Sequence, residues 1–220
     1  MKLKVCGLKY KENIEQIAQL NVDYMGFIFY PKSKRYVGEK FEIPVIGNKI
    51  KKVGVFVNAE LNHILEKVKQ YGLAAVQLHG DETADFCKLI KEYFLKNEQT
   101  KKVEIIKAFG VDEAFDFKQL KPYEKFCDYF LFDTKTKEYG GSGHSFNWEI
   151  LNKYDNALPF FLSGGIGLKE VEQIKNEPIA RKIYAIDVNS KLEIEPGLKD
   201  VTMIKQLANV LIEKLKDEKY

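Results

Sequence analysis

The sequence predicts an α/β chain folded as a closed (β/α)8 barrel of the TIM type. Three observations point there. Short β-branched or aromatic runs recur eight times, amphipathic or capped segments stand between them, and successive runs start roughly 21 to 31 residues apart, about one βα unit. No Pro/Gly/Ser-rich linker interrupts the series. Residues 1–220 are therefore expected to form a single barrel domain, somewhat shorter than the ~250 residues typical of this fold. An open, doubly wound sheet is the competing architecture.

Leu3–Cys6 is the first predicted strand and Tyr24–Phe29 the second. After the second, Val37 to Pro44 contains Gly38 and Pro44, both poorly tolerated inside a helix, so the second crossover helix is expected to be shortened or absent. Lys52–Val57 is the third strand. Leu61, Ile64, Leu65 and Val68 then follow the i, i+3, i+4, i+7 template of an amphipathic helix, after a candidate Asn58 cap. The fourth strand, Ala75–Leu78, runs into His79-Gly80-Asp81-Glu82, where Asp81 is expected to cap the next helix. Val103–Phe109 and Tyr129–Asp133 are the fifth and sixth strands, and Phe160–Ser163 is the seventh. Leu168, Val171 and Ile174 follow at helical spacing, before Tyr184–Val188 as the eighth strand. In the last helix, Val201, Ile204, Leu207, Ala208, Leu211, Ile212 and Leu215 make one apolar stripe, with lysines and acids on the solvated side.

Composition removes several function classes. Lys+Arg total 35 against 32 Asp+Glu, a formal charge of only +3 in a chain that is 30% charged, which describes a mixed, well-solvated surface and not a polyanion-binding one. Only Arg35 and Arg181 are arginines, so a duplex-binding face of bidentate Arg contacts is not expected, and no nucleic-acid partner is assigned. The N-terminal Met1-Lys2-Leu3-Lys4 carries charge where a signal peptide needs an apolar segment. No apolar run approaches the ~18–20 residues of a membrane span, so a cytoplasmic protein without a membrane partner is expected. Cys6, Cys87 and Cys127 are odd in number and lack CxxC spacing, which argues against a disulfide framework or a zinc cluster. His63, His79 and His144 are too scattered for a ligand set, and no metal is expected.

In a (β/α)8 barrel the chemistry sits at the carboxyl ends of the strands. Strand one ends in Cys6-Gly7. A thiol there would face the barrel mouth, but its ordinary pKa of ~8.5 calls for a cationic neighbour before it can act as a base, and a buried apolar cysteine is the alternative. Strand six ends in Asp133, and the chain runs on through Thr134 to Gly143 with no immediate helix, so the Asp133 carboxyl is expected at the mouth and not as a cap. Ser163-Gly164-Gly165-Ile166-Gly167 joins strand seven to a helix, and strand eight ends in Asp187-Val188-Asn189-Ser190. Glycines at a strand-to-helix junction let backbone N–H groups converge on an anion, and these two loops are where such barrels often bind phosphate. Arg35, in Pro31-Lys32-Ser33-Lys34-Arg35-Tyr36 after strand two, is one of two arginines in a lysine-rich chain. Planar carboxylate recognition is a task for which Lys substitutes poorly, whereas Arg181 precedes strand eight at the opposite end and reads as structural.

These positions give the chain its resemblance to the phosphoribosylanthranilate isomerase family of tryptophan biosynthesis. The resemblance runs in order through Lys4-Val5-Cys6-Gly7, Gly26-Phe27-Ile28-Phe29-Tyr30-Pro31-Lys32-Ser33-Lys34-Arg35-Tyr36, Val53-Gly54-Val55-Phe56 and Gln77-Leu78-His79-Gly80-Asp81-Glu82. It continues through Phe132-Asp133 with Gly140-Gly141-Ser142-Gly143, Ser163-Gly164-Gly165, and Asp187-Val188-Asn189-Ser190 with Pro196-Gly197-Leu198-Lys199-Asp200. It implies an Amadori rearrangement of a phosphoribosyl amine without a cofactor, with Cys6 as general base, Asp133 as general acid and Arg35 on the anthranilate carboxylate. Gly164, Gly165, Asn189 and Ser190 would hold the phosphate, and Asp187 joins the substrate-binding candidates. A small-molecule substrate and a monomer or homodimer complete the expectation.

Three departures bear on loop geometry and phosphate affinity. His144-Ser145 stands where the family commonly has Lys-Thr, Asn147 precedes Trp148 where Asp is usual, and Lys191 replaces a frequent glycine. The related histidine-pathway sugar isomerase resembles a pattern with aspartates ending strands one and five, where this sequence has Cys6 and Ala108-Phe109. A non-catalytic module that binds phosphate ligands is the competing class.

Overall fold

The computed structural model describes residues 1–134 and 148–217. Eight parallel strands, β1 (Lys2–Val5), β2 (Tyr24–Ile28), β3 (Lys51–Phe56), β4 (Ala75–Leu78), β5 (Glu104–Val111), β6 (Tyr129–Thr134), β7 (Phe160–Leu162) and β8 (Ile183–Val188), close into a barrel. Closure is made by β1, which pairs Val5 with Met25 of β2 on one side and Leu3 with Ile186 of β8 on the other. That pairing eliminates the open sheet. The strands meet the sequence expectation to within one residue at each end, except that β5 continues to Val111.

Period-two alternation in each strand divides the apolar residues into two cores. Leu3 and Val5, Met25 and Phe27, Phe130 and Phe132, and Phe160 and Leu162 face outward and pack under the crossovers. Tyr24, Val53, Ala75, Ile106, Leu131, Phe161 and Ala185 form the separate interior core. At the amino-terminal end, Tyr24 and Tyr184 share a hydroxyl hydrogen bond of 2.9 Å, the rings of Tyr129 and Tyr184 lie 4.5 Å apart, and Lys51 pairs with Glu104 at 2.5 Å. Side chains therefore fill that end of the barrel.

The crossovers include α1 (Lys11–Ala18), α2 (Leu61–Tyr71), α3 (Ala84–Lys96), α4 (Leu168–Lys175) and the closing α5 (Val201–Asp217). No helix forms between β2 and β3, as Gly38 and Pro44 predict. Phe41 instead packs on Phe27 and Tyr71, and its carbonyl accepts from the Tyr71 hydroxyl at 2.9 Å. The abbreviation extends further than expected: the described residues of the fifth and sixth crossovers are 3-10 turns, Phe117–Tyr123 and Trp148–Lys153. Pro122 inside the first of these removes a backbone donor.

Two expected caps are corrected. Asn58 does not cap α2, whose N-cap position is Glu60 with no side-chain bond. With φ at +49°, in the left-handed region that Asn tolerates, it turns toward the next loop and accepts from the Asp81 N–H at 2.7 Å. The Asn58 Nδ2 in turn donates to Asp81 Oδ2 at 3.4 Å, and the N-cap of α3 is Thr83, which accepts from the Phe86 N–H at 3.3 Å. Glu82 completes the interlock by accepting from the N–H groups of Asn58 and Gly80 at 2.8 and 2.9 Å. Among the described residues, no helix is long and apolar enough to cross a membrane.

Candidate active site

A cleft of about 720 Å³ opens at the carboxyl ends of the strands. Cys6, Arg35, Asp133, Gly164, Gly165, Asp187, Asn189 and Ser190, drawn from five separate strand ends, all line it. The Gly140-Gly141-Ser142-Gly143 motif, His144, Ser145 and Asn147 lie outside the described residues.

Cys6 follows β1 and is 4% exposed. Gly26 on the neighbouring strand makes room for it, since a Cβ there would stand 2.7 Å from the Cys6 sulfur. Burial pushes the Cys6 thiol up. The Lys4 ammonium pulls it back, Asp187 pushes it further up, and Lys199 opposes, with a net rise. Lys4 precedes Cys6 by two residues on the same inward face, fully buried, and its Nζ donates to Asp187 Oδ1 at 2.9 Å. Burial would lower the Lys4 amine, but the charges of Asp187 and Cys6 outweigh it and hold it protonated. Burial raises the Asp187 carboxyl against the pull of Lys4, and Asp133 adds to the rise.

Asp133 stands near the end of β6, 3.5 Å from His79 Nε2. Gln77, two residues before His79 on the same face, places its Nε2 2.7 Å from His79 Nδ1, and its Oε1 is buried without a partner among the described residues. The expectation that His79 belongs only to a capped turn is thus corrected: it sits in the cleft. Its position one residue past a strand end, like that of Cys6, was the available signal.

On the β7 and β8 side, Gly164 and Gly165 adopt φ of +94° and +61°, a backbone turn open to glycine and costly for other residues. Lys191, the departure from the family's usual glycine, pairs with Glu170 at 2.7 Å, while Glu170 also accepts from the Gly167 N–H at 2.8 Å at the start of α4. It therefore ties the two loops together.

Arg35 is gripped from behind by Glu193 of β9 (Glu193–Glu195), which accepts from Nε at 2.8 Å and from Nη2 at 2.7 Å. Gly7, with φ of +73°, lets the Arg35 side chain pass, because a Cβ there would lie 2.7 Å from Arg35 Cδ and from Asn189 Oδ1. Asn189 is fixed in turn by Lys199 of β10 (Leu198–Lys199), whose Nζ donates to its Oδ1 at 2.6 Å and to Glu193 at 2.5 Å. Burial pushes the Lys199 amine down to about 8, Glu193 resisting. The part played by Glu193 and Lys199 was not visible in the sequence.

A family model described as N-(5'phosphoribosyl)anthranilate (PRA) isomerase matches residues 3–210. The chain belongs to the phosphoribosylanthranilate isomerase family. The N-(5'-phosphoribosyl)anthranilate isomerase of Parabacteroides distasonis is 41% identical over 216 residues, 96% of this chain and 94% of that protein. Among solved structures, the phosphoribosyl anthranilate isomerase of Thermotoga maritima is 35% identical with a TM-score of 0.79 and 99% of each chain covered. A phosphoribosyl anthranilate isomerase solved in complex with reduced 1-(o-carboxyphenylamino)-1-deoxyribulose 5-phosphate is 31% identical, with a TM-score of 0.78 over 97% of this chain and 99% of that one. The chain is accordingly an enzyme of this isomerase family.

Proposed function

We propose that the protein converts N-(5-phosphoribosyl)anthranilate to 1-(2-carboxyphenylamino)-1-deoxyribulose 5-phosphate in tryptophan biosynthesis, by general acid and base catalysis from Asp133 and Cys6. Asp133 protonates the furanose ring oxygen, the C1–O bond breaks, and the nitrogen lone pair forms an iminium ion. Cys6 thiolate removes the C2 proton, and the C–H electron pair moves into the iminium to give an enolamine. Return of a proton to C1 and loss of the enol proton yield the ketone and restore both groups. The substrate supplies its own electron sink, so this reading calls on no cofactor or metal.

Arg35 takes the anthranilate carboxylate and Asp187 orients the sugar, while the loops of Gly164-Gly165 and Asn189-Ser190 hold the phosphate. In this reading residues 1–220 work as one cytoplasmic domain, as monomer or homodimer; the T. maritima enzyme is described as dimeric. The observation that carries the proposal is the convergence of Cys6 and Asp133 on one cleft bounded by Arg35 and by the Gly164-Gly165 and Asn189-Ser190 loops.

The histidine-pathway alternative gains nothing from the longer β5. Asp112 follows that strand, but it accepts from the Ala114 N–H at 3.2 Å and does not line the cleft. The test is the change in anthranilate fluorescence when purified protein meets the phosphoribosyl conjugate, which reports turnover and separates an enzyme from a binding module. Cys6→Ala and Asp133→Asn should each lower kcat by at least about a hundredfold while the fold survives. Near-wild-type turnover in either variant overturns its role.

A further inference from the structure

Glu193 carries a charge that the proposed chemistry does not use. Its side chain is 5% exposed and accepts four donors: Arg35 Nε and Nη2, Lys199 Nζ at 2.5 Å and the Gly197 N–H at 3.1 Å. Lys199 is its cross-strand partner in the β9–β10 hairpin, and Asn13 anchors that hairpin by exchanging two hydrogen bonds with the Lys199 backbone, at 2.8 and 2.9 Å. A buried Arg–Glu–Lys triad is a poor stabilising device, because apolar residues of the same volume hold a hairpin as well without desolvating three charges.

Its geometry serves Arg35 better. A guanidinium offers two edges for forked pairing, and Glu193 occupies the Nε/Nη2 edge. Among the described residues Nη1 has no hydrogen-bond partner, and the Arg35 side chain is a wall of the cleft. The second cation matters too. An Arg–Glu pair alone is neutral and attracts an anion weakly, whereas with Lys199 protonated the triad keeps a net positive charge.

We propose that Glu193 is a positioning residue, which locks Arg35 in one orientation before binding so that its Nη1/Nη2 edge meets a planar substrate carboxylate. The inference rests on the reading of Arg35 as the carboxylate ligand. Holding a long side chain in advance removes the ordering cost that binding would otherwise carry, so the benefit falls on carboxylate-bearing ligands alone.

The experiment measures, by calorimetric titration of the whole enzyme, the affinity of two probes: the reduced carboxyphenylamino-deoxyribulose phosphate and the same molecule lacking its carboxylate. In Glu193→Gln the carboxylated probe should weaken by about tenfold while the carboxylate-free probe stays within about twofold, KM rising far more than kcat falls. Glu193→Asp keeps the charge and should lose less of that selectivity, and it reads the same ratio if the Gln variant folds poorly. Arg35→Lys should lose the selectivity as well, and adding Glu193→Gln to it should cost little more. Equal weakening of both probes, or of neither, in the Glu193 variants while Arg35→Lys loses selectivity overturns the inference and leaves Arg35 as ligand. Retained selectivity in Arg35→Lys as well overturns the carboxylate role of Arg35 and this inference with it.

Discussion

Lys4 Nζ lies 2.9 Å from Asp187 Oδ1, and both side chains are buried, with Asp187 at the floor of the cleft that Cys6 also lines. The pair is set by register, since Lys4 on β1 stands directly beside Asp187 on β8. Its charges act on the thiol in opposite directions, with Lys4 favouring the thiolate and Asp187 opposing it.

That opposition gives a pH test. With the Cys6 thiolate as the proposed base, the Cys6-governed limb of kcat/KM should rise with pH. Lys4→Met should move that limb to higher pH and Asp187→Asn to lower pH. Shifts of the same sign in a pH–rate profile would remove the electrostatic account. Lys4→Met also strands a buried carboxylate and should cost about 3–5 kcal/mol in urea unfolding, with part restored in the Lys4→Met/Asp187→Asn double variant.

Gly26→Ala should be felt by Cys6 before anything else. Its Cβ would stand 2.7 Å from the Cys6 sulfur and 3.1 Å from the Cys6 Cα, so a flanking strand or the thiol must shift. The expected cost is about 1–3 kcal/mol with a fall in kcat. In a double-mutant cycle with Cys6→Ala, the two changes should couple by more than about 0.5 kcal/mol. Additive costs would mean that the contact is unimportant.

Lys199 predicts an alkaline gain in stability. Its folded amine titrates at about 8 against 10.5 for an ordinary lysine, so between those values the unfolded chain binds more protons than the native one. Stability from this group therefore rises with pH across that window, as the buried charge is relieved. Lys199→Met should lack the rise. The check is the difference in unfolding free energy between wild type and variant from pH 7.5 to 10.5, and a flat difference would contradict it.

Lys191→Gly, which restores the family's frequent residue, should release the Glu170 carboxylate that Lys191 now holds down. Lys191 is 31% exposed on its side chain, so the stability cost should stay below about 1 kcal/mol. The larger effect should be on substrate KM, through looser β7 and β8 loops, with kcat little changed. An unaltered KM in steady-state kinetics would show that the tie is incidental.

Much of the site was legible because a barrel converts strand ends into a location. Cys6, Asp133 and Asp187 each end an apolar run, and the glycines at 164 and 165 mark a turn by composition alone. His79 was missed although it ends a strand in the same way, because the neighbouring Asp81 offered a sufficient local explanation. Asn58 shows the same bias: a residue suited to capping the next helix spends its side chain on an adjacent loop.

By itself the sequence determined the eight strands, the shortened second crossover and most of the residues at the mouth, His79 excepted, because these follow from periodicities of two and 3.6 and from Gly and Pro. The tertiary structure alone decided who pairs with whom. Lys4 meets Asp187 across 183 positions of chain and Arg35 meets Glu193 across 158. Such partners depend on ring closure, register and the fold-back of a short hairpin. Local pattern carries none of these, because burial of a charge becomes affordable only where the counter-charge has already been delivered by a distant strand.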